Sequence, residues 1–135
     1  MSFPYSDPVQ ARAFLIEFAQ RLGTHPEIHD GWAKLEMIVG VHLENPKIAF
    51  WVDARGGQVR VTETPPDAPE GASLHLTCDL FHRLYLGQVN AMLAFVQRKI
   101  RTSGKVSGII KLTSTMPTAI RLYQEFLTEK GLSAR

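Results

Sequence analysis

Residues 72–111, ASLHLTCDLFHRLYLGQVNAMLAFVQRKIRTSGKVSGIIK, decide how the rest of the chain is read. Leu74 and Leu76 face one way and Ser73, His75 and Thr77 the other, a period of two that suits a half-buried strand. Asp79 then offers an N-cap carboxylate, and Leu80, Phe81, Leu84 and Tyr85 give one apolar helical face. Gly87 supplies the left-handed residue that ends such a helix. Asn90 caps a second short helix, with Met92, Leu93, Phe95 and Val96 as its apolar residues. An edge strand is expected from Arg98 to Ser103, before Gly104 turns the chain into a helix carrying Val106, Ile109, Ile110 and Leu112.

Working outward, Asp7-Pro8-Val9-Gln10 is a helix start: Asp7 caps, Pro8 takes the first helical position and Gln10 reaches back. Ala11, Phe14, Leu15, Phe18 and Leu22 recur at helical spacing up to Gly23. Thr24 to Gly31, with Pro26 and two histidines, reads as a connecting loop. The longest alternation follows. Leu35, Met37, Val39, Val41 and Leu43 share one face, and Lys34, Glu36, Gly40 and His42 the other, so the strand has one wet side and belongs to an antiparallel sheet. Asn45-Pro46 turns into Lys47 to Ala54, and Arg55-Gly56-Gly57-Gln58 makes a hairpin into Val59 to Thr62. Pro65 to Gly71 is too rich in proline to be anything but a loop. At the far end, Thr115 and Pro117 start a last helix striped with Ala119, Leu122, Tyr123, Phe126 and Leu127, and Gly131 ends it. The expectation is a single α+β domain over residues 1–135, a mainly antiparallel five-stranded sheet with helices on one face.

Composition narrows the function. At 135 residues the chain can bury a sizeable core, and 44% hydrophobic with 21% charged residues is ordinary for a globular protein. A net charge of +2 with no basic run interleaved with aromatics argues against nucleic acid. Cys78 is the only cysteine, which rules out an internal disulfide and a cysteine-based zinc site. No apolar run approaches a membrane span and no basic-then-apolar leader opens the chain, so a cytoplasmic location is expected. The final Leu-Ser-Ala-Arg is not a peroxisomal signal. With its own Met1 and no room for a second domain, the chain reads as free-standing.

No catalytic, metal or cofactor site is expected. The five histidines lie in different elements, without a metal-type pair. His42 and His75 fall on polar strand faces and His82 beside Asp79 suggests helix-end electrostatics. There is no Gly-x-Ser-x-Gly elbow, and Gly104 with Gly108 lacks the Lys-Ser/Thr of a phosphate loop. Cys78 reads as a small buried thiol.

The succession Cys78-Asp79-Leu80-Phe81, Leu84, Leu86-Gly87, Ala94-Phe95, Lys99-Ile100-Arg101 and Gly104 resembles the sterol carrier protein type 2 family. The likeness extends more weakly to about Lys34 and Leu127. Gln97-Arg98 stands where that family often has Ser-Gly, and Lys105 where it often has Asp or Asn. The resemblance implies a hydrophobic tunnel between the sheet and the C-terminal helices, which holds a lipid tail. Its expected wall is Ile109, Leu112, Met116, Ile120, Tyr123, Phe126 and Leu127 from the last helices, Met92 and Phe95 before them, and Val41 and Phe50 from the sheet. Burying a fourteen-carbon chain at about 0.8 kcal/mol per methylene gives roughly 11 kcal/mol relative to water, and almost nothing relative to a bilayer. Such a pocket exchanges lipid rather than trapping it.

Arg98, Lys99, Arg101 and Lys105 form a polar cluster. Like charges on an edge strand discourage edge-to-edge pairing, and the same cluster suits anionic head groups of a membrane surface or the phosphates of an acyl-CoA. Trp51 and Ile38, apolar on the wet sheet face, would form a homodimer contact if side by side. The expected function is therefore non-enzymatic binding or transfer of a fatty acid, acyl-CoA, sterol or similar lipid. Two alternatives stand beside it. One is an accessory subunit gripping a protein partner in a lipid or quinone pathway. The other is a small α+β cone-type isomerase, which would need Asp53 or Asp79 buried near Tyr85 or Tyr123.

Overall fold

The alternation of Val39, Val41 and Leu43 with Gly40 and His42 forms β1 (Ile38–Glu44), the central strand of the sheet. β2 (Ile48–Asp53) returns antiparallel with Phe50 opposite Val41, and β3 (Arg60–Thr62) follows it to one edge. β4 (Ala72–Thr77) runs parallel to β1 on its other side, and β5 (Arg101–Gly104) closes the far edge antiparallel to β4. The strand order is β3-β2-β1-β4-β5, so three of four pairings are antiparallel and the fold is α+β as expected. This computed structural model describes residues 3–132.

The expected helices are present, with one addition. α1 (Pro8–Thr24) is capped by Asp7, whose carboxylate accepts from the Gln10 amide, and it buries Phe14, Leu15, Phe18 and Leu22. The stretch expected as a loop contains α2 (Pro26–Ala33). His25 caps it by accepting from the Glu27 amide at 3.2 Å, and Pro26 occupies the first turn where its missing N–H is not needed. The strand expected from Lys34 starts only at Ile38, because Glu36 takes a positive φ of 50° and breaks the extended run. α3 (Cys78–Tyr85) is capped by Thr77 rather than Asp79; the Thr77 hydroxyl accepts from the Leu80 amide at 3.0 Å. Asp79 instead accepts from the Phe3 amide at 2.7 Å, fastening the N-terminal segment to this helix.

α4 (Ala91–Val96) is capped by Asn90 and ends in a Schellman turn. The Arg98 amide donates to the Phe95 carbonyl and the Lys99 amide to the Ala94 carbonyl. Arg98 sits where glycine is usual, at φ 58°. The turn is thus kept without its glycine. The edge strand begins only at Arg101, so Arg98 and Lys99 belong to this turn and not to the strand. α5 (Ser107–Lys111) and a 3-10 turn (Leu112–Thr115) lead into α6 (Met116–Glu129).

α6 lies against α1. Phe14, Phe18, Tyr123 and Phe126 interlock, with ring centroids 4.7 Å apart for Phe18–Tyr123 and 5.0 Å for Phe14–Phe126. Arg21 stands over the Phe126 ring and pairs with Glu129, and Lys130 pairs with Glu17 at 2.7 Å. Each such aromatic contributes about 1.5–3 kcal/mol by leaving water.

The sheet face opposite the helices is not simply wet. The loop before β4 folds over it and sets the Glu70 carboxylate above Gly40, where any side chain on residue 40 would collide with it. Glu70 accepts from the Trp51 indole at 2.9 Å and meets His42 Nε2 at 3.0 Å. His42 in turn stacks on His75, centroids 4.7 Å apart. Trp51 and Ile38 are 7% and 1% exposed, so the patch expected to make a dimer contact is buried within the chain.

Candidate functional site

The inner faces of the two layers do not close on each other. Val39 and Val41 of β1, Phe50 and Val52 of β2, and Leu74 and Leu76 of β4 form the floor of a cavity of about 150 Å³. Its walls come from Phe18, Ala19 and Leu22 of α1, Ile28 and Trp32 of α2, and Phe81, Leu84 and Tyr85 of α3. Ala91 and Phe95 of α4, Ile109 of α5, Leu35, Ile100, and Leu112, Thr113, Thr115, Met116 and Ala119 complete it. Two close approaches shape this end. Gly31 lets the Leu112 side chain come within 3.0 Å of where a β-carbon would stand, and Gly23 admits the Trp32 ring in the same way.

Among the described residues no charged side chain lines the cavity. The lining residues that carry a polar side-chain atom are Thr113, Thr115, Trp32 and Tyr85. The Thr115 hydroxyl is already committed to the Leu112 carbonyl. Burial pushes the Tyr85 hydroxyl up to about 12, so it stays protonated. A wall of this kind offers dispersion and desolvation and no ionic anchor.

The residues expected at the wall divide. Val41, Phe50, Phe95, Ile109, Leu112 and Met116 come together around the cavity. Tyr123, Phe126 and Leu127 sit one turn further along α6 in the solid core, packed on α1. Ile120 is half-buried against Gly87, and Met92 points outward at 42% exposure. Of the basic cluster, Arg101 stands opposite His75 on β5, while the Lys105 amide donates to the Gly71 carbonyl just beyond the strand.

The polar groups weighed for chemistry lie elsewhere. Asp53 is held by Arg55 at 2.7 Å, and that hydrogen bond keeps its carboxyl below the usual range. Asp79 is exposed and engaged by Phe3, so neither carboxylate is buried beside Tyr85 or Tyr123. Cys78 is fully buried near the Pro46 carbonyl, with its thiol pushed up to about 11 by burial and then by Asp79. His82 is not a helix-end surface residue. It is 1% exposed and shares a 2.6 Å hydrogen bond with the Tyr123 hydroxyl, while its Nε2 meets no partner among the described residues.

This apolar cavity between sheet and helices lies where the sequence resemblance implied a tunnel. A family model for the SCP-2 sterol transfer family matches residues 17–117. The chain belongs to this family. Its fold is shared by sterol carrier protein 2 from Yarrowia lipolytica, at TM-score 0.60 and 17% identity over 90% of this chain and 97% of that one. Sterol carrier protein domain 2 of Helicoverpa armigera gives TM-score 0.63 and 19% identity over 90% and 95%. A third SCP-2 structure, UbiJ-SCP2, described as a ubiquinone synthesis protein, gives TM-score 0.56 and 11% identity over 83% of this chain and 94% of that one. No curated protein matches the sequence. The wall also takes in α2 and Leu74, Leu84 and Tyr85, which the sequence alone does not place there. For Leu74, Leu84 and Tyr85 the signal was present, since they mark the apolar faces of their elements; for Trp32 there was none, because its helix read as a loop.

Proposed function

We propose that this SCP-2 protein binds a hydrophobic lipid in the cavity between sheet and helices and releases it to other apolar environments, without transforming it. The observation that supports this is the wall itself: about 150 Å³ bounded mostly by hydrocarbon, with no charged side chain among the described residues. An apolar void of this size stays dry and accepts a guest of about benzene's bulk. A flexible alkyl chain fits it better than a rigid sterol. The chain can enter segment by segment as Met116, an adaptable side chain on the wall, moves aside. Val41, Phe50, Phe95, Ile109 and Leu112 grip the tail. Selectivity for the polar end falls to Thr113 and the Tyr85 phenol, which suit a hydroxyl or carbonyl.

The test is a titration of the purified protein with a fluorescent fatty acid, followed by competition with unlabelled palmitate, cholesterol and an isoprenoid quinone. Native mass spectrometry of freshly purified protein supplies the resident ligand. Saturable binding displaced best by palmitate is expected. A protein that carries no lipid and takes up none of the three would end this reading. Displacement by the quinone alone would instead favour a role like that named for the ubiquinone synthesis relative.

A further inference from the structure

We infer that α4 and the turn after it form the surface by which this protein settles on an anionic lipid bilayer. The inference rests on the lipid-binding reading above and names the partner that would deliver or accept the lipid.

Four large apolar residues are strongly exposed among the described residues, and three of them share one six-residue helix: Met92 at 42%, Leu93 at 54% and Val96 at 70%. The opposite side of the same helix, through Ala91 and Phe95, is cavity wall. A single turn and a half of helix therefore separates open solvent from the lipid compartment. An apolar helix face in water is unfavourable unless something covers it, and an interfacial helix of this kind enters the boundary between head groups and acyl chains.

Charge selects the cover. Between Asp79 and Glu125 the sequence has seven Lys and Arg residues and no Asp or Glu. Arg98 and Lys99 follow directly on the apolar helix, then Arg101 and Lys105, and all four side chains are exposed. Among the described residues none of the four makes a salt bridge. The Schellman turn adds an independent sign. Arg98 holds a left-handed conformation that glycine would adopt freely, so a cation occupies this corner against the local backbone preference. Apolar side chains with the unpaired cations Arg98 and Lys99 in the turn beside them complement an anionic membrane surface. A second copy of the chain would bring the same cations face to face, which disfavours self-association through this patch.

The experiment is co-sedimentation with vesicles of phosphatidylcholine alone or containing phosphatidylserine, at low and high salt. Two variants are compared with the parent: Met92→Ser/Leu93→Ser/Val96→Ser, and Arg98→Gly/Lys99→Gln. Each basic residue near an anionic leaflet is worth about fivefold in partitioning. Parent binding should need phosphatidylserine and weaken in salt, and each variant should lose at least about tenfold. Fluorescent fatty acid uptake from solution should be unchanged in both, since none of these residues lines the cavity. Equal binding to both vesicle types, or full binding by both variants, would overturn the inference. So would a dimer that the serine variant abolishes in the absence of vesicle binding, which would assign the patch to a second copy. Loss of fatty acid uptake by the parent, with vesicle binding intact, would strike the lipid-cavity reading and leave the surface standing.

Discussion

His82 and Tyr123 meet through a 2.6 Å hydrogen bond inside the aromatic core, where Phe3 stands edge-on to the imidazole with ring centroids 6.1 Å apart. Burial pushes the imidazole below its ordinary value of 6.5, so His82 is neutral in the fold and charges readily only when unfolded. His75 is pushed the same way by burial, then by His42 and Arg101. The unfolded chain therefore binds more protons below pH 6.5, and stability falls as pH falls. Each such group contributes up to about 1.4 kcal/mol per pH unit. Urea midpoints measured from neutral to mildly acidic pH should drop steadily; a flat profile would mean that His82 charges freely in the native state.

Replacing Arg98 with glycine should raise stability by about 1 kcal/mol, because the left-handed conformation at φ 58° strains any residue with a β-carbon. Thermal unfolding should shift upward by a few degrees. A loss of stability would show that the guanidinium makes a compensating contact at the helix end.

Glu70 and Gly40 should behave as one unit. Glu70→Ala removes the acceptor for Trp51 and the partner of His42, and Gly40→Ala displaces the same carboxylate by occupying its place. Each should cost about 1–2 kcal/mol, given that Glu70 is partly exposed. The double variant should cost little more than either single one, a coupling that a double-mutant cycle in denaturant reads directly. Simple additivity would mean that the carboxylate and residue 40 do not compete for space.

Ala119 is a buried wall residue with the cavity before it. Ala119→Leu should fill the void at no cost in stability and reduce fatty acid affinity at least about tenfold, since the space it fills is the one proposed to hold the acyl tail. Uptake at the parental level would place the ligand elsewhere.

Gly104→Ala should be the most damaging of these changes. The residue has φ 80°, and a β-carbon would press on the Gly71 carbonyl and the Ala72 backbone. Strain and overlap together should cost about 2–4 kcal/mol and loosen β5 from β4. Unaltered urea midpoints would show that the two strands can part without penalty.

Much of the architecture was legible because period and punctuation agree. Val39, Val41 and Leu43 announce a strand, Asp7-Pro8 and Asn90 announce helix starts, and Gly87 adopts the positive φ expected of it, as do the turn glycines Gly104 and Gly131. Legibility failed where one residue's backbone overrode a pattern. Glu36 interrupts the alternation that runs back to Lys34, and His25 supplies a cap that a histidine seldom provides. At the site, hydrophobic periodicity marks a face without saying what the face meets. Met116 and Tyr123 lie on the same α6 stripe, yet one borders space and the other a phenylalanine. Trp51 and Ile38 read as exposed for a related reason. Their cover comes from a loop some twenty residues on from Trp51, and no local pattern encodes a contact of that kind.

The unfilled volume above Val41 and Phe50 also sets how this molecule responds to compression. Unfolding lets water into space that the native packing leaves vacant, so the denatured state is the smaller one, and hydrostatic pressure favours it. A guest tail in that space would remove part of the difference, making the occupied protein the more pressure-resistant of the two.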